Sequence, residues 1–486
     1  MEVKNVSGNQ VIKNSFWKFF ESIGIQLIQL VITVVLARML APNDYGLMAL
    51  VLVSVNFLGL FVNSSISSYL VYIRNIRKED FCTALVSNIL VAIVLMVLLI
   101  VAADWLSAYY GSPGLSILLR VMSITIPFNS ISAVYNAYAV KMSLFRALFV
   151  RNMIALPISG AIALVAAFSG FGVWALVLQQ VSYSLLLCII VVVTIHVNIE
   201  GRWRFDKGII LPMYNYGLKV LFSSFIAFVS DNISDLLIGK RINSEQLGYY
   251  NRGNTLPSTL ISSLNNTISN VLFPAFASYN SSLSALKSKF SKTIRLLYYV
   301  TLPVLLGMVA CAEPMVKVLL SEKWASSIPI IQIICIYYCS LPFLQTSSQI
   351  TLAVGKLNLR IVGELIKFVV TIVALLFFID YGIIAVAFAR LLVNVILVIV
   401  SLIINNKIIG YGITDYVKDV YKPLVLSLIM LAVVYSLNLI NAADWVKLVA
   451  QILVGVGVYC LLIRICKIPE VDELLVLVVD KLRKRK

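Results

Sequence analysis

Charged residues are scarce in this chain of 486 residues, and histidine is nearly absent. Only 13% of the residues are charged, whereas a soluble domain carries about 25%. Since 60% are hydrophobic, a soluble fold could not bury the apolar surface, and the sequence predicts an all-α protein embedded in lipid. The single histidine, His196, and the lack of any Cys-x-x-Cys pair argue against a metal site and histidine-based catalysis. We therefore expect a protein that is not an enzyme, binds no cofactor or metal, and does not bind nucleic acid.

A cleavable secretory signal is also missing from the start of the chain. Lys18 and Glu21 interrupt its first apolar run, and no small-residue cleavage site follows. We expect this run to stay in the protein as the first membrane span.

Long apolar runs are abundant, and they predict about fourteen spanning helices, since about 20 apolar residues cross a bilayer. The predicted spans lie near 16–37, 46–69, 82–103, 115–139, 153–169, 173–195, 216–238, 249–273, 294–312, 328–353, 361–379, 383–404, 423–440 and 446–463. The connections are too short for a separate soluble domain. Prolines inside spans, which are predicted to kink helices, are Pro127, Pro157, Pro257, Pro303 and Pro342.

Lysine and arginine are distributed unevenly around these spans. If the N-terminus is cytoplasmic, most of the 39 basic residues fall in cytoplasmic segments, including Lys141, Arg146 and Lys287. The external turns 104–114 and 169–172 then carry none. By the positive-inside rule, both termini are predicted to be cytoplasmic. The net charge of +17 is mainly a consequence of this topology.

Two segments of the chain repeat. Residues 38–46 and 240–248, at a spacing of 202, each begin with a basic residue and end with glycine. A weaker match links 171–175 with 381–385. Chance similarity between short turns is the alternative, but copies six spans apart share one orientation, as in transporters built from parallel repeats. The predicted organisation is an N-terminal six-helix lobe (1–200), a C-terminal six-helix lobe (201–410), two additional transmembrane helices (411–466) and a basic cytoplasmic tail (467–486).

Several motifs, taken in order, resemble those of a known family. They follow a basic residue at the end of the first span and are Leu40-Ala41-Pro42-Asn43-Asp44-Tyr45-Gly46, Asp235-Leu236-Leu237-Ile238-Gly239-Lys240, Leu247-Gly248-Tyr249-Tyr250 and Leu272-Phe273-Pro274. The chain resembles the polysaccharide transporter family of the multidrug/oligosaccharidyl-lipid/polysaccharide exporter (MOP) superfamily. Within it, the similarity is to the lipid-linked oligosaccharide flippases of exopolysaccharide, O-antigen and teichuronic acid assembly.

The resemblance implies a function. A polyprenyl-pyrophosphate-linked oligosaccharide repeat unit would move from the cytoplasmic to the outer leaflet by alternating access, for synthesis of a cell-surface polysaccharide. The expected partners are this substrate, membrane lipids and a coupling ion, H⁺ or Na⁺, and an association with polysaccharide polymerase machinery is a further expectation. The expected location is the bacterial cytoplasmic (inner) membrane. A cation-coupled multidrug antiporter of the same superfamily is the alternative, and a membrane-embedded polymerase or glycosyltransferase is a more distant one.

Four arginines in or near spans are candidate substrate-binding residues: Arg38, Arg120, Arg252 and Arg390. A guanidinium group stays charged and binds phosphate through a planar fork of donors. Arg38 and Arg252 could instead snorkel to the interface. Arg390 lies too deep in its span for that, so it is the strongest candidate.

Two aspartates, Asp231 and Asp235, share one face of the seventh span and are candidate ion-coupling residues. The alternative is an internal ion pair with Arg252 or Arg390. Glu21 and Lys219, on the first helices of the two predicted lobes, are a candidate gating pair.

Asparagine, serine and threonine are frequent in the second and eighth spans, which are equivalent in the repeat. Asn63 and Asn266 are candidate sugar-binding residues, because amides match the donors and acceptors of a glycan. Hydrogen bonds between helices are the alternative role.

Overall fold

The computed structural model describes residues 24–26, 28–63, 67–73, 76–197, 199–277 and 283–466, without the side chains of Ser68, Lys219, Ser223, Leu260, 262–277 and Leu357. Every regular element in these residues is helical. The helices are α1 Gly24–Met39, α2 Pro42–Phe61, α3 Ser67–Tyr72, α4 Lys78–Tyr110, α5 Leu115–Ser123, α6 Thr125–Lys141, α7 Phe145–Phe168, α8 Trp174–Thr194, α9 Lys207–Arg241, α10 Ser244–Ala277, α11 Leu283–Leu319, α12 Ile328–Cys339, α13 Leu341–Ala353, α14 Leu357–Phe378, α15 Ile383–Ile409, α16 Ile413–Ser436 and α17 Asp444–Ile465.

The all-α membrane fold is confirmed. Among the described residues, 12 helical segments are long and apolar enough to cross a membrane. They coincide with twelve of the predicted spans. The first predicted span is only partly described, as α1, and the eighth forms α10, whose many serine, threonine and asparagine residues keep it out of the apolar set. The number of about fourteen spans therefore stays a prediction.

Two spans are each built from two successive helices. The fourth consists of α5 and α6, and the tenth of α12 and α13. Pro127 and Pro342 lie just after the breaks, where a proline removes one backbone donor and clashes with the preceding turn. Thr125 Oγ1 and Ser340 Oγ each donate to a carbonyl three residues earlier, at 2.6 Å and 3.0 Å. These hydroxyls satisfy backbone acceptors that would otherwise face an apolar interior.

The chain divides into two compact units, residues 1–248 and 249–486. The division falls inside α10, and the lobe boundaries predicted from the sequence stay a prediction. Each unit is described by itself below.

Helices α4 and α6 of the first unit pack against each other through buried apolar side chains. Ala84 on α4 and Val134 on α6 are fully buried in one cluster, and the Phe81 ring lies 5.2 Å from the Tyr135 ring beside them. In lipid, such van der Waals packing replaces the hydrophobic effect as the force that joins helices.

The helix ends of the first unit collect in two groups. One group contains the first residues of α2 and α10, Pro42 and Ser244, and is called the α2/α10 end. There Lys240 donates to the carbonyl of Tyr109 and lies 4.2 Å from the centre of the Tyr109 ring. At the other, Lys141 Nζ donates to the carbonyls of Val71 and Ile73, at 2.9 Å and 2.6 Å. The C-terminal ends of α4 and α9 thus meet in the first group, and those of α3 and α6 meet in the second.

In the second unit, α16 and α17 pack against α11. Asp419 of α16 is 3% exposed and accepts hydrogen bonds from Ser291 at 2.6 Å, Tyr411 at 2.8 Å and Arg295 at 3.2 Å. Burial, and after it the charge of Asp419, raise the pKa of the Tyr411 hydroxyl far above its usual value. The neutral hydroxyl therefore stays a donor to the carboxylate. Nearby, Lys287 pairs with a second acidic residue of α16 at 2.8 Å.

Candidate functional site

The candidate site lies around Arg390, in the second turn of α15. Its Nη1 donates to the Tyr250 hydroxyl at 3.1 Å, and its Nη2 donates to the Tyr337 hydroxyl at 3.4 Å. The guanidinium carbon lies 4.9 Å from the centre of the Tyr337 ring, a cation–π distance. Three helices, α10, α12 and α15, therefore contribute to the site.

The supporting helices fix both tyrosines. Tyr250 lies in the second turn of α10 and is fully buried. Tyr337 lies in the last turn of α12, just before the break at Pro342. The neighbouring Tyr338 hydroxyl donates to Asn254 Oδ1 at 3.0 Å and joins α12 to α10. Neither tyrosine can move far from Arg390 without disturbing these contacts.

The guanidinium of Arg390 is hydrogen-bonded to neutral hydroxyls in its own unit. Among residues 249–277 and 283–466, no described carboxylate is within ion-pair distance of its guanidinium. The residue is partly exposed. A lone guanidinium in a membrane span is costly unless a ligand, water or partner compensates it. The electrostatics therefore favour an anionic ligand.

The chemistry of the site suits phosphate oxygens. The guanidinium supplies a planar fork of donors, and the hydroxyl of Tyr337, which is partly exposed and accepts from Arg390, can rotate its own O–H toward an anion. Among the residues that the structure describes, no group of three or more histidine, cysteine, aspartate or glutamate side chains is placed to bind a metal ion.

The other three candidate arginines have different surroundings. Arg120 of the first unit pairs with Asp104 at 2.6 Å, and Ser116 donates to the same carboxylate at 2.5 Å. Arg38, also in the first unit, is exposed. Arg252 of the second unit is 8% exposed. A shared basic lining formed by all four arginines stays a prediction.

The acidic and amide candidates are only partly described. Asp231 is exposed and Asp235 is half-buried, both on α9, and each has a partner. Asn63, just after α2, is exposed. Glu21 and the side chains of Lys219 and Asn266 lie outside the described residues. Ion coupling by the aspartates, gating by Glu21 and Lys219, and sugar binding by the two asparagines stay predictions.

The repeated glycines, Gly46 and Gly248, pack directly against each other at the α2/α10 end. A Cβ added at Gly46 would overlap the carbonyl of Ser244, and one added at Gly248 would overlap the carbonyl of Pro42. These two pairs are related by the repeat spacing of 202, so the contact has a local two-fold symmetry. Ser244 also donates to Asn43 beside it. Only glycine allows the two backbones to approach this closely.

Sequence reasoning missed Tyr250 and Tyr337 as parts of the site. Tyr250 belongs to one of the family-like motifs, so a signal for it was present in the sequence. Tyr337 had no comparable signal, because tyrosine is common in spans.

Comparisons with known proteins extend these observations. The sequence model of a family described as "Polysaccharide biosynthesis protein" matches residues 35–329. The succinoglycan biosynthesis transport protein ExoT of Rhizobium meliloti (strain 1021) is 24% identical over 331 residues, covering 68% of this chain and 67% of that protein. The lipopolysaccharide biosynthesis protein WzxC of Escherichia coli (strain K12) is 24% identical over 436 residues, covering 86% and 85%.

A solved structure of the lipid II flippase MurJ, in an inward closed conformation, is similar in fold. Its TM-score is 0.74 at 17% sequence identity, and the match covers 93% of this chain and 98% of that one. At this identity the likeness shows a shared fold.

Proposed function

Because this chain belongs to the polysaccharide biosynthesis protein family, we propose that it is a flippase for a lipid-linked oligosaccharide. The cargo is a polyprenyl-pyrophosphate-linked repeat unit that moves from the cytoplasmic to the outer leaflet by alternating access, for synthesis of a cell-surface polysaccharide. The names of ExoT and WzxC, a transport protein and a lipopolysaccharide biosynthesis protein, support this proposal. The family resemblance read from the sequence motifs is thereby confirmed.

The observation that carries the proposal is the Arg390 site. A partly exposed guanidinium held by two hydroxyls provides donors for a phosphate, and no described carboxylate of its own unit competes for them. Inside a low-dielectric span the attraction for a diphosphate is strong, so the headgroup would bind there as it crosses the membrane. The lipid tail would stay in the bilayer.

Further parts of the proposal rest on the sequence. Asp231 and Asp235 would couple transport to H⁺ or Na⁺, and Glu21 and Lys219 would close the cytoplasmic gate. Both termini would lie in the cytoplasm, and the protein would lie in the cytoplasmic membrane of a bacterium. There it would associate with the polymerase that extends its cargo.

The multidrug antiporter is the second candidate. Such a carrier needs a site that attracts organic cations, which suits acidic residues among aromatic ones. The cation at Arg390 repels such cargo, and this observation favours the anionic lipid.

The test is deletion of the gene in its native host. We expect lipid-linked glycan to accumulate in the cytoplasmic leaflet and the surface polymer to disappear, with recovery on expression of the wild-type chain. Accessibility of the glycan to an external sugar-labelling reagent in spheroplasts is the measurement. Normal surface polymer in a deletion strain that lacks a redundant exporter would refute the proposal.

A further inference from the structure

Asn394 lies one helical turn after Arg390 on α15 and is 3% exposed. Its Nδ2 donates to the backbone carbonyl of Tyr337 at 2.9 Å and to Ser340 Oγ at 2.6 Å. Both acceptors belong to the break between α12 and α13. Asn394 therefore joins α15 to the helix break in the neighbouring span, and hydrogen bonds between helices are a known role of asparagine in membrane spans.

The carbonyl of Tyr337 lies at the break between α12 and α13. In a continuous helix it would accept from the amide of residue 341, but α12 ends at Cys339 and α13 starts at Leu341. Ser340 Oγ donates to the same carbonyl at 3.0 Å. The backbone of Tyr337 is therefore held from two sides, and its ring and hydroxyl are the groups that contact Arg390.

We propose that Asn394 is a positioning residue of the Arg390 site. It fixes the backbone of Tyr337, and through it the hydroxyl and ring that orient the guanidinium for a diphosphate. This inference rests on the proposed function, because it assigns a role in binding the same anionic headgroup. It also couples binding of that headgroup to the break between α12 and α13. Asn394 contacts the break, and Arg390, one turn earlier on α15, binds the anion.

The same helix offers a matched control. Asn405 lies three turns further along α15, is fully buried, and donates through Nδ2 to Ser347 Oγ of α13 at 2.8 Å. It makes the same kind of contact between the same spans but touches no residue of the Arg390 site. Loss of either amide should therefore lower stability by a similar amount.

The experiment measures the Kd of inorganic pyrophosphate for the full-length protein purified in detergent, by isothermal titration calorimetry. We expect Asn394→Ala to weaken binding about tenfold, the effect of one well-placed hydrogen bond, and Asn405→Ala to leave the Kd unchanged. In a Tyr337→Leu background, which keeps the carbonyl but removes the ring, Asn394→Ala should cause no further loss. Such non-additivity indicates that one residue acts through the other. Ser340→Ala, which loosens the same carbonyl, serves as the second variant if Asn394→Ala does not fold, and should weaken binding about threefold.

The outcomes separate the two proposals. If the wild-type protein does not bind pyrophosphate, or if Arg390→Ala binds it as well as the wild type does, the anion site is rejected and the positioning role with it. If Arg390→Ala loses binding while Asn394→Ala and Ser340→Ala keep it, only the positioning role is rejected. Equal losses for Asn394→Ala and Asn405→Ala, or additive losses with Tyr337→Leu, would also overturn it.

Discussion

Arg390 carries a permanent charge into an apolar helix, and its surroundings determine what that charge can do. A helix-centre arginine costs about 2.5–3.5 kcal/mol on insertion scales. Two tyrosine hydroxyls and one ring face offset part of this cost, since cation–π contacts contribute about 0.5–2 kcal/mol. The hydroxyls are neutral, so the charge itself stays available to an anion. A carboxylate in place of these hydroxyls would form an ion pair with Arg390 and compete with an anionic ligand for its charge.

At the scale of this residue we predict that Arg390→Ala lowers transport about 10- to 100-fold, because a hydrogen bond to a charged group contributes about 1.5–3 kcal/mol. Arg390→Lys should restore part of the rate, since lysine keeps the charge but loses the planar fork. The measurement is flipping of a lipid-linked oligosaccharide in proteoliposomes at matched protein amounts.

Arg360 provides the control for this prediction. It is an exposed arginine near the start of α14, so Arg360→Ala should leave transport unchanged. The alternative role of Arg390, an ion pair with Asp231 or Asp235, predicts a different result. Arg390→Ala would then reduce the amount of folded protein, because a stranded buried charge costs about 3–5 kcal/mol, and removing the acidic partner as well would restore it. Full activity of Arg390→Ala, together with a wild-type yield of folded protein, would contradict both roles.

At the scale of helices, the contact between Gly46 and Gly248 holds the first turns of α2 and α10 together. We predict that Gly46→Ala lowers the free energy of unfolding by about 1–3 kcal/mol, the usual cost of overpacking, because its Cβ would overlap the carbonyl of Ser244. Gly248→Ala should have the same effect, since the contact is symmetric. Thermal unfolding in detergent, followed by loss of the monodisperse protein, is the measurement.

A helical glycine elsewhere separates this clash from the general effect of the substitution. Gly363 of α14 has no atom within 4 Å of an added Cβ, so Gly363→Ala should be neutral or stabilising by up to about 1 kcal/mol. If Gly46→Ala melts at the same temperature as Gly363→Ala, the two backbones are not in direct contact.

The positions of the helices were predicted from the sequence better than the contacts between them. The all-α fold and the location of most spans followed from apolar run length alone, because lipid leaves few other solutions. The repeat marked Gly46 and Gly248 as equivalent positions. It could not reveal that the two copies pack on each other, since periodicity describes one helix and not its neighbour.

Tertiary partners explain most of what sequence reasoning missed. Arg390 stood out as a charge in an apolar run, but its tyrosine partners are 140 and 53 residues away. Asp419 shows the same limit. Ser291 and Arg295 are four residues apart on one helix face, yet nothing in their spacing indicates that they face Asp419, 128 and 124 residues later.

At the scale of the whole molecule, orientation depends on where the basic residues lie relative to the spans. The turn between α7 and α8 carries no lysine or arginine, whereas the turn between α13 and α14 carries Lys356 and is followed closely by Arg360. Moving basic residues across the membrane during insertion is unfavourable, so the second turn should stay in the cytoplasm. The turn between α7 and α8 should then face outward. An odd number of spans separates the two turns when α10 crosses the membrane, so the turns lie on opposite sides.

We therefore predict that a single cysteine at Ser169→Cys reacts with a membrane-impermeant maleimide added to intact cells, and that one at Lys356→Cys reacts only after permeabilisation. Both positions are exposed on turns, so accessibility within the fold is equal and only the side of the membrane differs. The seven native cysteines are first replaced by alanine or serine, since Cys460 and Cys466 are exposed and would react themselves. Labelling of both positions from outside would mean that α10 does not span and that the topology has one crossing fewer. Labelling of Lys356→Cys alone in intact cells would show that the orientation is the reverse of the predicted one. The lysine-rich segments would then lie outside the cell, against the positive-inside rule.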